Sequence, residues 1–522
     1  MRIPLIVLPT FLLFVSLVSS AIAEPYHPTL ELRHWLHARC DLNGDNAVDH
    51  LDVYSLAGQF GQYPIPPIST LAVSDPVTTL NLNFPTGTEA YLLIIRNETF
   101  GSQKSEVGIY RELFSFKKKA EEESVSAEKF PPSIFFSLLG VELGKKPALV
   151  GKQTSGPPAA GEQRTFAIHG GAPVTATLRY SGKHAAIYVD DAIWLQSESP
   201  VGQATVNGQG QIFDTITYPV LSNVFGNPGD LNGDGQVAIL FTTAAAGAGD
   251  SSFYEGDLFE TAGWNGVSNA MELLYVCPPN TPERTIAPED ITGNIANAFQ
   301  QLVNFRYHAV LFGNGYLFPN VEENWLNVGL SMLAEDYVGS ARVKNPKYTE
   351  KFLRNTGAIN IVTNLVPNDT QRGGAYLFCR YLADRYGDGI VAKLVRTGKK
   401  GIENVEAATG ISYMELIKDW SRAVFLSDLG ITDHRRFNYQ MFASLDAGSP
   451  RWWGVPKIVE LNLVGETYFG PMHFDQIPSG GFSYVILRNT EAGPKTVELL
   501  HATGPLPHID FIRLPDNFVY PE

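Results

Sequence analysis

Oxygen-bearing side chains recur at alternate positions in Asp41-Leu42-Asn43-Gly44-Asp45-Asn46-Ala47-Val48-Asp49-His50-Leu51-Asp52. Asp41, Asn43, Asp45, Asp49 and Asp52 fall at loop positions 1, 3, 5, 9 and 12, and the main-chain carbonyl of Ala47 at position 7. A calcium ion takes six to eight hard oxygens, and this alternation turns successive donors towards one point. Val48 supplies an apolar residue to seat the loop, and a helical run opens at Asp52. Asn46 stands at position 6, where glycine is usual, and asparagine tolerates the positive φ required there. The competing interpretation is an Asx-rich surface turn without metal. A second stretch, Asp230-Leu231-Asn232-Gly233-Asp234-Gly235-Gln236-Val237, repeats the first half of the pattern but carries Ala238 and Phe241 at positions 9 and 12. Its candidate calcium ligands are Asp230, Asn232, Asp234 and Gln236. It reads either as a partial site completed by oxygens from elsewhere or as a glycine-rich turn with no ion.

Other chemically able residues are sparse. The eleven histidines include no H-x-x-x-H pair. His34 and His37 lack a third ligand and read as solvent-facing helix residues, and His308 reads as a surface or capping histidine. Adjacent carboxylates, Glu322-Glu323 and Glu335-Asp336, do acid–base work only when held at a fixed separation. Neighbours on a helix point ~100° apart, so both pairs read as exposed helix termini. Cys40, Cys277 and Cys379 are too scattered for a disulfide framework or a cysteine-rich zinc site, and Cys379 lies in an apolar helical run as a core residue. No G-x-S-x-G elbow or G-x-x-x-x-G-K-[ST] loop occurs. Arg451-Trp452-Trp453 reads either as an aromatic platform for carbohydrate or as a buried packing pair.

The elements that must position these groups follow from composition and periodicity. The chain has 522 residues and 39 Lys plus Arg against 54 Asp plus Glu, a net charge of −15. That balance argues against nucleic acid as a partner, which would need a basic stripe. Arg2, an apolar core and Ala21-Ile22-Ala23 follow the order of a cleavable secretory signal over residues 1–23. No later apolar run reaches ~18 residues, so no transmembrane segment is expected. Pro64-Ile65-Pro66-Pro67 reads as a stiff linker. Residues 78–95 and 165–191 alternate in the manner of antiparallel strands, and the charge block 117–123 reads as a solvated loop or exposed helix. Pro85 to Asn97 echoes Pro478 to Asn489, each a turn feeding a buried strand, which suggests two β-sandwich units flanking the middle of the chain. Helical periodicity runs from Ile291 to Leu426, with apolar stripes at Ile295, Phe299, Leu302 and Val303, and at Trp325, Leu326, Leu330 and Leu333. Further helices are expected over 374–386, 389–396 and 413–426.

The first loop resembles one half of a dockerin, the secreted module that docks onto cohesins. Four central stretches together resemble the catalytic domain of hyicolysin-like secreted zinc metallopeptidases, a gluzincin-type family. They are residues 229–259, Ala296-Asn297-Ala298-Phe299-Gln300-Gln301-Leu302-Val303-Asn304-Phe305, Trp325-Leu326-Asn327-Val328-Gly329-Leu330-Ser331-Met332-Leu333-Ala334-Glu335-Asp336, and 376–387. The resemblance covers roughly residues 165–430 and implies a zincin-like fold. The family's H-E-x-x-H places two histidines on zinc and a glutamate as the base that takes a proton from bound water. Those positions correspond here to Asn297, Ala298 and Gln301, and the family's third ligand, a Glu in N-E-G-L-S, corresponds to Val328. Amides are poor zinc ligands, and Ala and Val offer no donor atom. The resemblance therefore implies the fold of a peptidase without its hydrolytic apparatus.

The expected architecture is multidomain α+β. It comprises the signal 1–23, a dockerin- or EF-hand-like module 24–63, a Pro-rich linker 64–70, an N-terminal β domain 71–200, a mainly helical metallopeptidase-like core 201–430 and a C-terminal β-sandwich 431–522. The expected function is that of an exported, catalytically inactive peptidase homologue acting as a calcium-binding extracellular binding or assembly protein. The expected location is secreted, periplasmic or cell-surface. Calcium is the expected cofactor and zinc is not. A protein or peptide is the expected ligand, and the dockerin resemblance adds a cohesin-like partner. The alternatives are a secreted hydrolase with an unrecognised site and a purely structural calcium-stabilised surface protein.

Overall fold

Strands wetted on one face and strands buried on both recur near the two ends of the chain. A computed structural model describes residues 68–72, 77–100, 102–110, 156–194, 201–244, 251–259, 267–279, 290–311, 321–340, 345–363, 365–432, 434–439, 453–464 and 473–520. The signal segment 1–23, the loop 41–52, residues 64–67 of the linker and the charge block 117–123 lie outside them, as do Arg451 and Trp452. Strands β1 (Ile68–Ala72), β2 (Val77–Phe84), β3 (Ala90–Arg96) and β4 (Ser105–Tyr110) come first. In β2, Leu80, Leu82 and Phe84 are buried while Thr79, Asn81 and Asn83 are exposed, the alternation of a strand with one wet face. β3 is buried at every residue, which its unbroken apolar run demands.

β5 (Gln163–Phe166), β6 (Val174–Ser181) and β7 (Ala185–Asp190) follow. Next come α1 (Gln203–Ile212), a π-helical stretch at Phe213–Thr217, and α2 (Tyr218–Val224). β8 (Val237–Phe241), β9 (Ser251–Phe253) and β10 (Leu273–Val276) complete a second strand-rich region. The helical region holds α3 (Ile291–Phe305), α4 (Asn324–Tyr337), α5 (Pro346–Leu353), α6 (Asp369–Tyr386), α7 (Asp388–Val395), α8 (Gly401–Thr409) and α9 (Tyr413–Leu426). At the start of α6, the Asn368 side chain accepts from Gln371 N while the Gln371 side chain accepts from Asn368 N, a reciprocal cap that fixes the helix start. β11 (Ile458–Asn462), β12 (His473–Ile477), β13 (Phe482–Arg488), β14 (Gly493–Thr503) and β15 (His508–Leu514) close the described chain.

Three sheets result. One has the order β5-β6-β7-β8-β10-β9, with β7, β8 and β10 parallel and the flanking pairs antiparallel. Its Ile187, Val189, Ile239, Phe241, Leu274 and Val276 join the main core with the helices. Tyr188, Leu240, Leu273 and Tyr275 form a separate core on the opposite face with Phe166 and Leu178. The other two sheets, β1-β15-β3-β13-β11 and β12-β4-β14-β2, pack face to face through Leu82, Phe84, Leu93, Ile95, Leu487, Val497, Leu499 and Ile509.

This arrangement corrects the expected placement of the β regions. Segments 71–200 and 431–522 do not form two separate units. β3 lies between β13 and β15, and β14 lies between β2 and β4, so both ends of the chain build one sandwich. The two echoing segments are neighbours, Tyr484 pairing with Ile94 and Leu487 with Tyr91. β5, β6 and β7 belong instead to the sheet of the central region. β1 begins at Ile68, inside the stretch expected as linker, and pairs with β15. The physical reason is burial on two sides: Leu92, Ile94, Tyr484 and Ile486 face the helices while Leu93, Ile95, Val485 and Leu487 face the second sheet. A sheet covered on both faces has no independent surface at which to separate from the core. The chain is α+β, and among the described residues no helix is long and apolar enough to cross a membrane.

Candidate functional site

Apolar periodicity decides which way α3 and α4 face. The Ile295, Phe299, Leu302 and Val303 stripe is buried, as is the Trp325, Leu326, Leu330 and Leu333 stripe. Asn297 and Gln301 are left half-buried on the flank of α3, with Ala298 fully buried beside them, and Val328 is half-buried on α4. α4 is backed closely by α6 at Gly329, where a Cβ would stand 2.6 Å from Ala375 O and from Cys379 Sγ. Only glycine permits that approach of the two helix backbones.

A ladder of side-chain amides joins α3 to α4. Gln301 Nε2 donates to Asn297 Oδ1 at 2.8 Å, and Asn297 Nδ2 donates to Glu335 Oε1 at 2.9 Å. Two turns along α3 from Asn297, Asn304 Nδ2 donates to Asn327 Oδ1 at 2.6 Å. The pairings 304 with 327 and 297 with 335 set the helices antiparallel. The four positions of the family motif thus share one helix pair. Glu335 was read from the sequence only as part of an exposed carboxylate pair, and the Asn304–Asn327 pair was not singled out. Their signal was a spacing of seven, Asn297 to Asn304 and Val328 to Glu335, which keeps residues on one helix face.

These residues do not suit zinc. The Asn297 carbonyl oxygen is taken by Gln301 and its amide nitrogen can only donate, while Ala298 and Val328 have no donor atom. A carboxylate behind a side-chain N–H is the arrangement that orients a metal-bound histidine, and Glu335 holds Asn297 in this way. Among the described residues, no group of three His, Cys, Asp or Glu side chains is gathered that could hold a metal ion.

The paired acids and His308 lie elsewhere than expected. Glu322, Glu335, Asp336 and His308 are all buried rather than exposed. Glu322 accepts from Gly401 N, Asn404 Nδ2 and Glu323 N, so it neutralises the unmet donors at the start of α8. Burial pushes its carboxyl up to about 7 despite these bonds. His308 sits 3.7 Å from it, as a packed partner rather than a wall of a cleft. Asp336 accepts from Tyr376 Oη at 2.7 Å and lies 3.6 Å from Arg380. Burial also pushes Asp336 up to about 7, with Arg380 and Tyr376 opposing. Helix termini were read as wet because adjacent charges usually are, but here α6 and α8 cover them. Trp453 is buried against Tyr439, ring centroids 5.7 Å apart, so packing accounts for it. Cys379 is a core residue, its thiol pushed above the usual range by burial.

In the second aspartate-rich loop, Asp230 Oδ1 accepts from Gly235 N at 3.1 Å and Asp234 Oδ1 from Gln236 N at 2.8 Å. Asn232 Nδ2 donates to Asp234 Oδ2 at 2.7 Å, and Gln236 Nε2 donates to Gly182 O. The loop enters β8 directly, as the short, wholly buried apolar run after it requires. No protein-family model matches this chain, and no curated protein matches its sequence.

Proposed function

We propose that this chain is an exported pseudo-peptidase: a zincin-like scaffold whose hydrolytic positions have become a hydrogen-bonded amide ladder, and which acts by binding a protein or peptide outside the cell. The observation that carries the reading is the Asn297–Gln301–Glu335 chain of bonds. The amides take the metal-ligand positions and bond to one another, so each satisfies its neighbour and none is left to activate water. Beside α3 runs β9, which pairs with β10 on one side and, among the described strands, ends the sheet on the other. An extended peptide could add to such an edge through its main chain. Calcium at the loop of Asp41, Asn43, Asp45, Ala47, Asp49 and Asp52 is the expected cofactor, and a cohesin-like protein remains the partner that loop would suggest.

Metal analysis of the purified protein tests this. The expected result is far less than one zinc per chain and no cleavage of casein. One zinc per chain, with cleavage lost to a chelator, would overturn the reading. The combined change Asn297→His, Ala298→Glu, Gln301→His and Val328→Glu serves as the positive control, because the helix pair and Glu335 are already in place. It is expected to take up one zinc per chain, and a folded variant that takes up none would show that α3 and α4 lack a zincin's geometry.

A further inference from the structure

A calcium loop of the helical kind takes its last oxygens at positions 9 and 12, after the chain has turned into a helix. Here the chain turns into β8 instead, and positions 9 and 12 are the buried Ala238 and Phe241. The strand beside β8 is β10, parallel to it, with Leu273 opposite Ala238 and Ala238 N donating to Glu272 O at 2.8 Å. Glu272 therefore stands next to the position where the loop runs out of oxygens. Its side chain turns back onto the loop, Oε1 accepting from Leu231 N at 2.8 Å.

The other carboxylate oxygen is the telling one. Glu272 is 1% exposed, and its Oε2 is buried with no hydrogen-bond partner. A buried carboxylate oxygen left unmatched is costly. A cation, Arg306, approaches from the Gly229 side, where its Nε lies 3.0 Å and Glu272 Oε1 3.1 Å from the point a Gly229 Cβ would occupy; its Nη1 is spent on Asn227 O. Gln236 Oε1 is a second buried oxygen without a partner. Asp230 and Asp234 of the loop stand near enough for their charges to raise the Glu272 carboxyl, although the three carboxylates are not drawn together around one point as they stand.

We propose that the Asp230–Gln236 loop and Glu272 together bind one calcium ion, Glu272 doing from a neighbouring strand what position 12 does from a helix. Asp230, Asn232 and Asp234 supply side-chain oxygens, Gln236 its main-chain carbonyl, and Glu272 its carboxylate, with water completing the six to eight that calcium takes. Asn232 turns its amide over to present oxygen in place of the nitrogen that now bonds Asp234, a change of no volume. The ion then fixes the loop to β8 and β10 at once. The inference is independent of the α3–α4 site and of the loop at 41–52.

The test uses the full chain carrying Asp41→Ala and Asp45→Ala, so that the first loop is silent, and titrates it with calcium by calorimetry and thermal unfolding. One calcium site and a calcium-dependent rise in Tm are expected to persist. Glu272→Gln keeps the acceptor for Leu231 N and removes a buried charge. It is expected to weaken calcium binding at least about tenfold and abolish the Tm rise, while its Tm without calcium is equal to or above that of the parent. A purely structural Glu272 would give the reverse, a lower Tm and an unchanged calcium response. Should Glu272→Gln not fold, Asp230→Ala, at the half-buried entry of the loop, carries the same test. Absence of calcium binding once the first loop is silent, or undiminished binding in the folded variant, would overturn the proposal.

Discussion

Two polar assemblies hold helices of this molecule in place, one buried and one half-buried, and they are made of opposite materials. Where α9 meets the sandwich, Asp510 on β15 binds Arg96 on β3 at 2.6 Å and Arg422 on α9 at 2.7 Å, all with side chains at or near full burial. Arg422 also reaches Asp419, which holds Arg385 and Arg436. Between α3 and α4 the linking groups are amides, with Glu335 as the one carboxylate. A buried charge needs its opposite, so removing one member of the junction strands the others. An amide is both donor and acceptor, so a chain of amides satisfies itself. Under the proposed pseudo-peptidase reading, this difference is what would let a helix pair give up metal ligands and keep its packing. From positions 297 and 301 the scaffold requires hydrogen bonding and volume, which Asn and Gln provide, and no charge at all.

The sharpest break of this comparison is Asp510→Ala. It leaves Arg96 and Arg422 buried without their shared acceptor and is expected to lower stability by about 3–5 kcal/mol, read from the chemical-denaturation midpoint. Glu98 remains beside Arg96 and Asp419 beside Arg422, which favours the lower part of that range. A loss no greater than that of a surface ion pair would show that the sandwich and the helices do not depend on the junction.

What could be read in advance divides along the same line. α3, α4, α7 and α9 were visible because each carries its own apolar stripe, and so was the alternation within single strands. The partnership of β3 with β13 was not visible, because pairing across almost four hundred residues is decided by which buried strands remain unpaired and not by any local pattern. The echo between the two segments registered strands of the same kind but gave no sign that they were neighbours. The buried acids were misplaced for a related reason: what covers Glu322 is Gly401 and Asn404, distant in sequence. Asp510 and Arg96 drew no notice, each being a charge set among apolar strand residues, although that oddity was itself the available clue.

The Asp510 junction and the buried acids outside both assemblies respond to pH with opposite signs. Burial would raise the Asp510 carboxyl, but Arg422 and Arg96 overcome it and hold the group down to about 2, below the ordinary 3.8. Its contribution is present above pH 3.8 and is lost as the pH falls towards 2. Glu322, Asp336 and Glu272 are pushed up to about 7 by burial. Their folded forms hold protons that the unfolded chain has released, so their contribution is full below their ordinary values near 4 and is lost as the pH rises through 7. With calcium chelated, stability is expected to peak near pH 4–5 and decline on both sides. Asp336→Asn is expected to flatten the alkaline side and leave the acid side unchanged. Acid sensitivity that is unaltered in Asp510→Asn would separate the junction from the acid limb.

The smallest effect belongs to the ladder. Asn297→Ala removes the link between Gln301 and Glu335 at a half-buried position, and a hydrogen bond of this kind contributes about 0.5–1.5 kcal/mol. A loss within that range is expected, several times smaller than for Asp510→Ala, because Gln301 is itself half-buried and can turn to water. Asn297→Asp is the more discriminating change. It keeps the volume and the acceptor for Gln301 but sets a second carboxylate against Glu335 in place of a donor. If the ladder works through complementary amides, Asn297→Asp is expected to destabilise more than Asn297→Ala at pH 7 and to converge with it in mild acid, where a shared proton restores the bond. Equal effects at both pH values would mean that the 297–335 contact contributes only packing, and the contrast between the two assemblies would then reduce to one of depth.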